Sequence, residues 1–261
     1  MIYYPLTTLI LAGITQVLII SKPEDQPLFI KLLGDGSRFG IEIKYLVQDV
    51  PRGLADALII AEKFLEGQPS CLILGDNLIY GAGVGRELAN NLIEVGAIIT
   101  ATKTANPSQF GVVTFDRNGS IDQLIEKPNT WVSDWAIPGL YFYDGSASER
   151  ARALKPSRRG EIEITDLHKS YLLEKQLVCK KLNLGTVWLD MGTVDGLFEA
   201  SSWVRAIEKQ SGLVVGSPEY ASTVMGNIAS AIVLEKIEAE NSEYFNSLRY
   251  SLEHEMNTDS E

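Results

Sequence analysis

Two aspartates stand directly after apolar runs that have the length of buried strands. Asp76 follows the run CLILG, and Asp190 follows the run VWL. In α/β sheets, ligands bind beyond the carboxyl ends of strands, and carboxylate oxygens at that edge suit a hard cation such as Mg²⁺. We therefore expect the two side chains to converge on one divalent ion. The alternative interpretation is that Asp190 caps a helix beginning near Val194, while Asp76 only turns the chain.

Other candidate binding residues stand at the ends of predicted strands and helices. Lys127, in the sequence EKP, could pair with a phosphate as a point charge, although an exposed ion pair before a proline turn fits the same residues. Gln48 could bind the edge of a base, and Gly53 would leave room for a flat ring. Glu161 could accept hydrogen bonds from sugar hydroxyls, whereas Thr165 nearby fits a plain helix start.

Composition excludes several other classes of function. The 261 residues include 34 acidic and 23 basic side chains, and the net charge of −11 argues against binding to nucleic acid or to an anionic membrane. The two cysteines, Cys71 and Cys179, are typical of reduced core residues in a cytoplasmic protein. No zinc-binding run, Ser-His arrangement or Walker-type loop is present. The apolar start MIYYPLTTLILAG is too short to span a bilayer and has no basic leader.

The order of the elements predicts an α/β fold. Apolar runs typical of buried strands alternate with amphipathic helical patterns as far as residue 103, which indicates a parallel sheet with right-handed crossovers. Short strands separated by turn residues follow, and they predict a small β region inserted between residues 109 and 143. One of the predicted helices covers Val84 to Val95. The chain beyond Ser211 is predicted to be mostly helical.

Taken together, these stretches resemble the sugar-1-phosphate nucleotidylyltransferase family. The matching sequences are MIYYPLTTLILAGI, GDGSRFGIEIKYLVQDVPRGLADAL, LILGDNLIYG, FGVVTFDRNGSI, IEKP, IPGLYFYD, LKPSRRGEIEITD and VWLDMGT. They run in order from Met1 to about Gly212. The resemblance implies a Rossmann-like, mostly parallel sheet of the nucleotide-diphospho-sugar transferase type, with a nucleotidyltransferase domain over residues 1–212 and a helical C-terminal segment over residues 213–261.

The resemblance also implies a reaction and a set of site residues. A glucose 1-phosphate oxygen would attack the α-phosphorus of dTTP and displace pyrophosphate, which depends on positioning and charge neutralisation. UTP is an alternative nucleotide, because the paired edges of thymine and uracil are the same. The family precedent is a homotetramer. By motif, the catalytic residues Asp76 and Asp190 would hold Mg²⁺, and the catalytic residue Lys127 would neutralise the sugar phosphate. Contacts to thymine would come from Gln48, Gly53 and Leu54. The sugar pocket would be formed by Glu126, Lys127, Gly111, Gly139, Glu161 and Tyr141.

The sequence departs from the family pattern in its first part. Family members begin with a strand and a glycine-rich loop that carries an arginine, followed by a lysine, and this sequence contains none of them. The resemblance therefore implies a missing first strand, two exposed strand edges unless the neighbours close up, and impaired turnover. Pro138 stands where the family often has threonine and removes a backbone donor beside the sugar pocket, which leaves the sugar open. Met191 stands where the family usually has threonine, and it is expected to be tolerated because the neighbouring carboxylate remains. The alternative hypothesis is a non-catalytic remnant that keeps sugar-phosphate contacts or an oligomer interface.

Overall fold

Strands and helices alternate along the chain as the sequence predicts. The computed structural model describes residues 1–89 and 91–258. The strands are β1 (Gln16–Ser21), β2 (Glu42–Val47), β3 (Ser70–Ile73), β4 (Asn77–Tyr80), β5 (Ala97–Lys103), β6 (Val112–Phe115), β7 (Ile121–Ile125), β8 (Trp135–Ala136), β9 (Leu140–Tyr143), β10 (Leu177–Lys181) and β11 (Val187–Asp190). The helices are α1 (Tyr3–Leu11), α2 (Gln26–Leu33), α3 (Asp56–Ile60), α4 (Glu62–Leu65), α5 (Val84–Leu88), α6 (Ala147–Ala153), α7 (Ile164–Leu173), α8 (Val194–Ser211), α9 (Pro218–Val224), α10 (Ser230–Ile237) and α11 (Glu243–Thr258).

The strands form three hydrogen-bonded groups. β1 pairs with β2 in parallel, and β4 pairs with β11 in antiparallel orientation. The third group is a seven-stranded sheet in the order β3-β9-β5-β8-β6-β7, with β10 paired to β5. Because β9 is antiparallel to both β3 and β5, while β10 is parallel to β5, the strands β3, β5 and β10 share one direction. The Rossmann-like α/β fold is confirmed. The expected mostly parallel sheet is not observed among the described strands, because β1–β2 and β10–β5 are parallel while the other six pairings are antiparallel. β6, β7 and β8 lie in the predicted small β region, whereas the last part of that region, residues 140–143, is β9 in the centre of the large sheet.

The core lies around the central strands of the large sheet. All four residues of β9 and the first five of β5 are buried, as expected for strands that helices cover on both faces. On one face, β9 packs with residues of α3, α6 and α7. On the other face, it packs with residues near the ends of α1 and α5. This arrangement brings the chain segments that follow β3, β7 and β11 to one region of the molecule.

β1 and β3 are not joined to each other. No backbone hydrogen bond connects residues 16–21 to residues 70–73, and a cavity of about 490 Å³ is lined by both strands. The family resemblance implies two exposed strand edges unless their neighbours close up, and these edges are open in this structure. The neighbouring elements have not closed the gap.

Two local features differ from the sequence-based expectation. The helix predicted over Val84 to Val95 ends at Leu88, and the Asn91 side chain, which favours turns over helix interiors, is buried and accepts a hydrogen bond from the Lys180 Nζ. The sequence did not predict β4. Its four residues follow the turn at Asp76, and four residues are too few for the spacing of apolar side chains to distinguish a strand from a helix.

The C-terminal helices pack against α1 through a polar network. Arg38 donates to the Tyr3 hydroxyl at 2.5 Å and to Glu219 Oε1 at 2.6 Å, and Tyr244 donates to Glu219 Oε2 at 2.7 Å. Glu219 is buried, so its charge is compensated by a guanidinium and a hydroxyl. This network joins the predicted C-terminal segment to the first helix. None of the helices in the described parts of the chain is both long enough and apolar enough to cross a bilayer.

Candidate active site

A pocket of about 510 Å³ opens where β3, β7 and β11 end. It brings together eight of the eleven predicted site residues, which come from segments as far apart as residues 54 and 190. The predicted residues that line it are Leu54, Asp76, Gly111, Glu126, Lys127, Gly139, Tyr141 and Asp190. Because these residues converge from six separate stretches of the chain, the pocket is the best candidate for the functional site.

The two predicted metal ligands lie side by side. Asp190 is opposite Asn77 in the β4–β11 ladder, and the Met191 amide donates to the Asp76 carbonyl at 2.8 Å. A β-carbon built on Gly192 would lie 2.9 Å from Asp76 Oδ2 and 3.0 Å from Asp190 Oδ1, so these oxygens are at most 5.9 Å apart. Two oxygens that share one Mg²⁺ at about 2.1 Å lie roughly 3 to 4 Å apart, which is within that limit.

The chemistry of these donors fits a hard cation. Both carboxylates are half-buried and face the same pocket. Within residues 1–89 and 91–258, no set of three or more His, Cys, Asp or Glu side chains is grouped as a metal site. Mg²⁺ prefers one or two carboxylates together with water and substrate phosphate oxygens, so a pair of aspartates fits this ion better than a closed protein cage would.

Asn77 holds the neighbouring Asp76 carboxylate and two distant segments in place. Its Nδ2 donates to Asp76 Oδ1 at 2.8 Å, and its Oδ1 accepts from the Gly139 amide at 3.0 Å and from Trp188 Nε1 at 2.6 Å. The Asn77 residue is 1% exposed. A buried carboxamide whose nitrogen and oxygen are both hydrogen-bonded fixes the spacing between β4, β9 and β11.

The alternative interpretation of Asp190 as a helix cap is wrong. The cap of α8 is Thr193, whose Oγ1 accepts from the Gly196 amide at 3.0 Å. Asp190 Oδ1 instead accepts from the Gly192 amide at 2.8 Å. Burial raises the pKa of the Asp190 carboxyl above its usual value and the Asp76 charge adds to this rise, while the Gly192 hydrogen bond and the Lys127 charge oppose it.

Lys127 adopts an unusual backbone conformation beside the two aspartates. Its φ of +40° lies in the left-handed region, which non-glycine residues seldom occupy. Its amide donates to the Phe110 carbonyl at 3.2 Å, and the buried Pro128 follows it. Strained backbone of this kind persists where the surrounding structure fixes it, often at functional sites. Lys127 is exposed and lines the pocket, which places it at the rim.

Glu126, Gly111 and Thr165 form another part of the pocket lining. Thr165 Oγ1 donates to Glu126 Oε2 at 2.5 Å, so Thr165 orients that carboxylate as well as standing at a helix start. A β-carbon on Gly111 would lie 3.3 Å from the same oxygen, so a larger residue would crowd it. Tyr141 is buried at this side of the pocket, and burial, together with the Glu126 and Asp76 charges, raises its pKa and keeps the phenol neutral.

Three predicted residues, Gln48, Gly53 and Glu161, do not line this pocket. Gln48 Nε2 donates to Asp56 Oδ2 at 2.8 Å. Gly53 has a φ of +104°, and a β-carbon there would lie 2.4 Å from the Ile162 carbonyl oxygen, so the position requires glycine for packing. Glu161 is half exposed and lies 3.6 Å from an Arg159 nitrogen. The three residues belong to one neighbouring surface. The Ile162 amide donates to the Arg52 carbonyl, and this hydrogen bond joins the segment that carries Gln48 and Gly53 to the segment that carries Glu161.

Sequence reasoning missed several residues of the site. Asp56 is 1% exposed and holds both Gln48 and Arg52, while Trp188 and Phe110 pack with ring centroids 4.6 Å apart and line the pocket. His168 lies on the buried face of α7 and lines the pocket. No periodicity identifies these positions, since each depends on a partner distant in the sequence.

The His168 ring is neutral. Burial lowers its pKa to about 3. Its Nε2 lies 2.7 Å from the Tyr143 hydroxyl, and its Nδ1 is buried without a hydrogen-bond partner among the described residues. An uncharged imidazole at this position contributes shape to the pocket floor without adding positive charge.

Comparison with known proteins assigns this chain to a known family. The model of the nucleotidyl transferase family matches residues 1–206. Glucose-1-phosphate thymidylyltransferase of Mycolicibacterium smegmatis is 48% identical over 84% of this chain and 76% of its own length. The enzyme of the same name from Xanthomonas campestris pv. campestris is 45% identical over 92% of this chain and 81% of its own length.

Solved structures agree with this assignment. A Bacillus anthracis protein assigned by name to the same enzyme class, in complex with sucrose, matches with a TM-score of 0.71 and 32% identity over 78% of this chain and 82% of its own. A UDP-glucose pyrophosphorylase in complex with UDP-glucose shares the fold at a TM-score of 0.67 and 22% identity, over 80% of this chain and 86% of its own. The chain therefore belongs to the nucleotidyl transferase family.

Proposed function

We propose that this protein transfers a thymidylyl group from dTTP to glucose 1-phosphate. An oxygen of the sugar phosphate attacks the α-phosphorus of dTTP, the bond from that phosphorus to the bridging oxygen breaks, and pyrophosphate leaves. The relatives reported above, at 45% and 48% identity, carry the name of this reaction. The observation that carries the proposal is the convergence of Asp76, Asp190 and Lys127 on one pocket.

The charges of the pocket support distinct roles for these residues. Asp76 and Asp190 would hold Mg²⁺, which supplies charge neutralisation for the phosphates when bound. Lys127 would bind the phosphate of the sugar substrate, because it is an exposed cation that lines the same pocket as the two aspartates and its amide donates to the Phe110 carbonyl. Phosphoryl and nucleotidyl transfers depend on such positioning of charge more than on a protein nucleophile.

The sugar and the base would occupy opposite ends of the site. Glu126, oriented by Thr165, presents a carboxylate to sugar hydroxyls, with Gly111 and Gly139 leaving space and Tyr141 forming the wall. The base would bind where Leu54 enters the pocket.

Two nucleotide-binding residues and one sugar-binding residue would act from the neighbouring surface. Asp56 holds the Gln48 amide beside Gly53, and Glu161 would reach the sugar from there. Since Gln48 contacts an edge that thymine and uracil share, it does not choose between dTTP and UTP.

The direct test is release of pyrophosphate from dTTP with glucose 1-phosphate and Mg²⁺, with UTP in a parallel reaction. We expect reduced turnover with dTTP, as the departure from the family pattern implies, and its further loss in Asp76→Asn and in Asp190→Asn, by a factor of at least about 10². Asp195→Asn is the matched control, because Asp195 is an exposed aspartate in the first turn of α8 that does not line the pocket.

Three outcomes would contradict parts of the proposal. Turnover with UTP alone would change the nucleotide. Unchanged turnover in either site variant would remove the cation role from that aspartate. If calorimetry shows glucose 1-phosphate binding without turnover, the chain is a sugar-phosphate-binding protein, and if neither substrate binds, the pocket is not the active site.

A further inference from the structure

Asp56 is a buried carboxylate that lies outside the pocket of the two aspartates. It is the first residue of α3 and is 1% exposed. Its side chain does not cap that helix, because the hydrogen bonds described for it come from the side chains of Gln48 and Arg52. A buried carboxylate is costly unless it is paired, so these two partners indicate what the residue does.

The Gln48 carboxamide faces two oxygens that can only accept hydrogen bonds. Its Nε2 donates to Asp56 Oδ2 at 2.8 Å and to the Gly53 carbonyl at 3.4 Å. If the carboxamide turned over, its Oε1 would face the same two oxygens, and three acceptors would meet without a hydrogen between them. The chemistry of Asp56 and of the Gly53 carbonyl therefore selects one of the two orientations of Gln48.

Both acceptors of the Gln48 amide are themselves held in place. Arg52 Nη2 lies 3.1 Å from Asp56 Oδ1, and Arg52 Nε donates to Asp56 Oδ2 at 3.3 Å. Near Gly53, the Ala55 amide donates to the Ile162 carbonyl at 3.2 Å, and the Ile162 amide donates to the Arg52 carbonyl at 2.6 Å. Connected hydrogen bonds of this kind restrict one another, so the orientation of Gln48 is supported on both sides.

Gln48 has one polar group left for a ligand. Both hydrogens of Nε2 are engaged, and no described residue donates a hydrogen bond to Oε1. The side chain is half-buried, and the exposed Leu54, which follows Gly53, lines the pocket. An acceptor beside an apolar side chain suits a flat ring with an N–H on its edge. Thymine and uracil carry this hydrogen at N3, whereas cytosine has an acceptor at N3 and its donor at C4.

We propose that Asp56 is a positioning residue for base recognition, which holds Gln48 so that only Oε1 faces the base. The site would then select a pyrimidine with a hydrogen on N3, and it would reject cytosine because two acceptors would oppose each other. This inference rests on the proposed function, since it takes Gln48 as a contact of the base. It goes further by assigning the choice of base edge to a residue that does not touch the nucleotide.

The first test compares nucleotides on the unchanged protein. Isothermal titration calorimetry with Mg²⁺, and without glucose 1-phosphate, measures the Kd of dTTP, dCTP and N3-methyl-dTTP in the absence of turnover. We expect dTTP to bind at least about tenfold more tightly than either of the others, because each leaves Oε1 unpaired. The matched control is dUTP, which keeps the hydrogen on N3 and should bind within about threefold of dTTP.

The second test is Asp56→Asn. Asparagine offers both a donor and an acceptor, so Gln48 would be able to adopt either orientation. We expect weaker binding of dTTP and retained binding of dCTP, so that their affinity ratio falls by about tenfold. A purely structural role would weaken both nucleotides equally and leave the ratio unchanged. Asp49→Asn is the matched control, because Asp49 is exposed and adjacent to Gln48, and neither bond of Nε2 goes to it.

A measurement on the free protein does not require the variant to fold. Nuclear magnetic resonance follows hydrogen exchange of the Gln48 side-chain amide, which is identified by the signal that Gln48→Ala lacks. Because both hydrogens are bonded, we expect exchange at least about tenfold slower than that of Gln123, an exposed glutamine on β7. Exchange as fast as that of Gln123 would show that Asp56 does not hold the amide. Circular dichroism checks the folding of each variant.

The contrary binding results separate this inference from the reaction proposed above. An unchanged ratio in Asp56→Asn would remove the role of Asp56 and leave Gln48 as a base contact. Equal binding of N3-methyl-dTTP and dTTP would show that Oε1 does not face N3. An unchanged ratio in Gln48→Ala would show that the base binds elsewhere, which contradicts the base-binding part of the proposed function. If dTTP does not bind at all, the proposed function fails, and this inference fails with it.

Discussion

Substituting alanine for Gly192 provides the sharpest test of the cation site. The new methyl group would lie 2.9 Å from Asp76 Oδ2 and 3.0 Å from Asp190 Oδ1, closer than the ordinary contact of about 3.4 Å or more between non-bonded carbon and oxygen. Gly192 does not have a positive φ, so its backbone accepts alanine. The methyl group would therefore push the carboxylates apart or occupy the space between them.

The expected effect is on metal affinity first. A change in the residues that hold metal ligands in position commonly lowers the affinity for the metal 10- to 100-fold, which corresponds to about 1.4 to 2.7 kcal/mol. Titration of Mn²⁺ followed by electron paramagnetic resonance measures this directly, without substrate, and pyrophosphate release then gives the loss of turnover. Gly75→Ala is the matched control, because a β-carbon there, next to Asp76, would meet only Ile2 at 3.9 Å.

Refutation would take a definite form. If Gly192→Ala binds Mn²⁺ as tightly as the unchanged protein while its circular dichroism spectrum is also unchanged, the space between Asp76 and Asp190 is not where the cation binds. If Gly75→Ala loses the same affinity, the effect comes from general disturbance of the loop. Only a loss confined to Gly192→Ala supports the geometry.

Two further predictions concern the floor and the wall of the pocket. Because burial lowers the pKa of His168 to about 3, the unfolded chain binds a proton between pH 6.5 and 3 that the folded protein does not. The free energy of unfolding should therefore fall by about 2 kcal/mol from pH 7 to pH 5 through this group. Urea titrations should show a smaller fall in His168→Gln, and identical falls would contradict the assignment. Gly139→Ala would place a β-carbon 2.4 Å from Leu74 Cγ, so we expect it to destabilise the fold by about 1 to 3 kcal/mol. Leu74→Ala in the same chain should recover part of that loss in thermal unfolding, and no recovery would show that the clash is not with Leu74.

The sequence predicted the elements of the fold well where apolar runs were long. The strand predicted over Ala97 to Ala101 is β5 (Ala97–Lys103), and the helix predicted over Thr165 to Glu174 is α7 (Ile164–Leu173), because consecutive apolar residues or a clear helical period identify them. The sheet order was not readable, since nothing local indicates that β9 lies between β3 and β5 in reversed direction. Short elements such as β4 were missed for the same reason, because their pairing partner lies far along the chain.

Residues of the candidate site were predictable where they directly follow a strand. Asp76 and Asp190 each follow an apolar run, and both reach the pocket. The supporting residues were not predictable, because Asn77 and Asp56 have meaning only through their partners. Asn77 bonds across to Gly139 and Trp188. A buried polar side chain carries no sequence signal of its own, since its cost or benefit depends on whether distant segments satisfy it.

The spacing between two parts of the candidate site depends on contacts outside the strand ladders. Gln48 follows β2, and its backbone amide donates to the Ser21 carbonyl at the end of β1, whereas Asp76 follows β3 in the large sheet. No strand pairing between the described residues joins these two sheets, so packing and loop contacts set the spacing between Gln48 and the aspartate pair, including the hydrogen bond from the Ile162 amide to the Arg52 carbonyl. Contacts of this kind join segments that lie more than 100 residues apart. No local period in the sequence reports them, and for that reason the relative placement of Gln48 and the two aspartates was the part of the site least open to prediction.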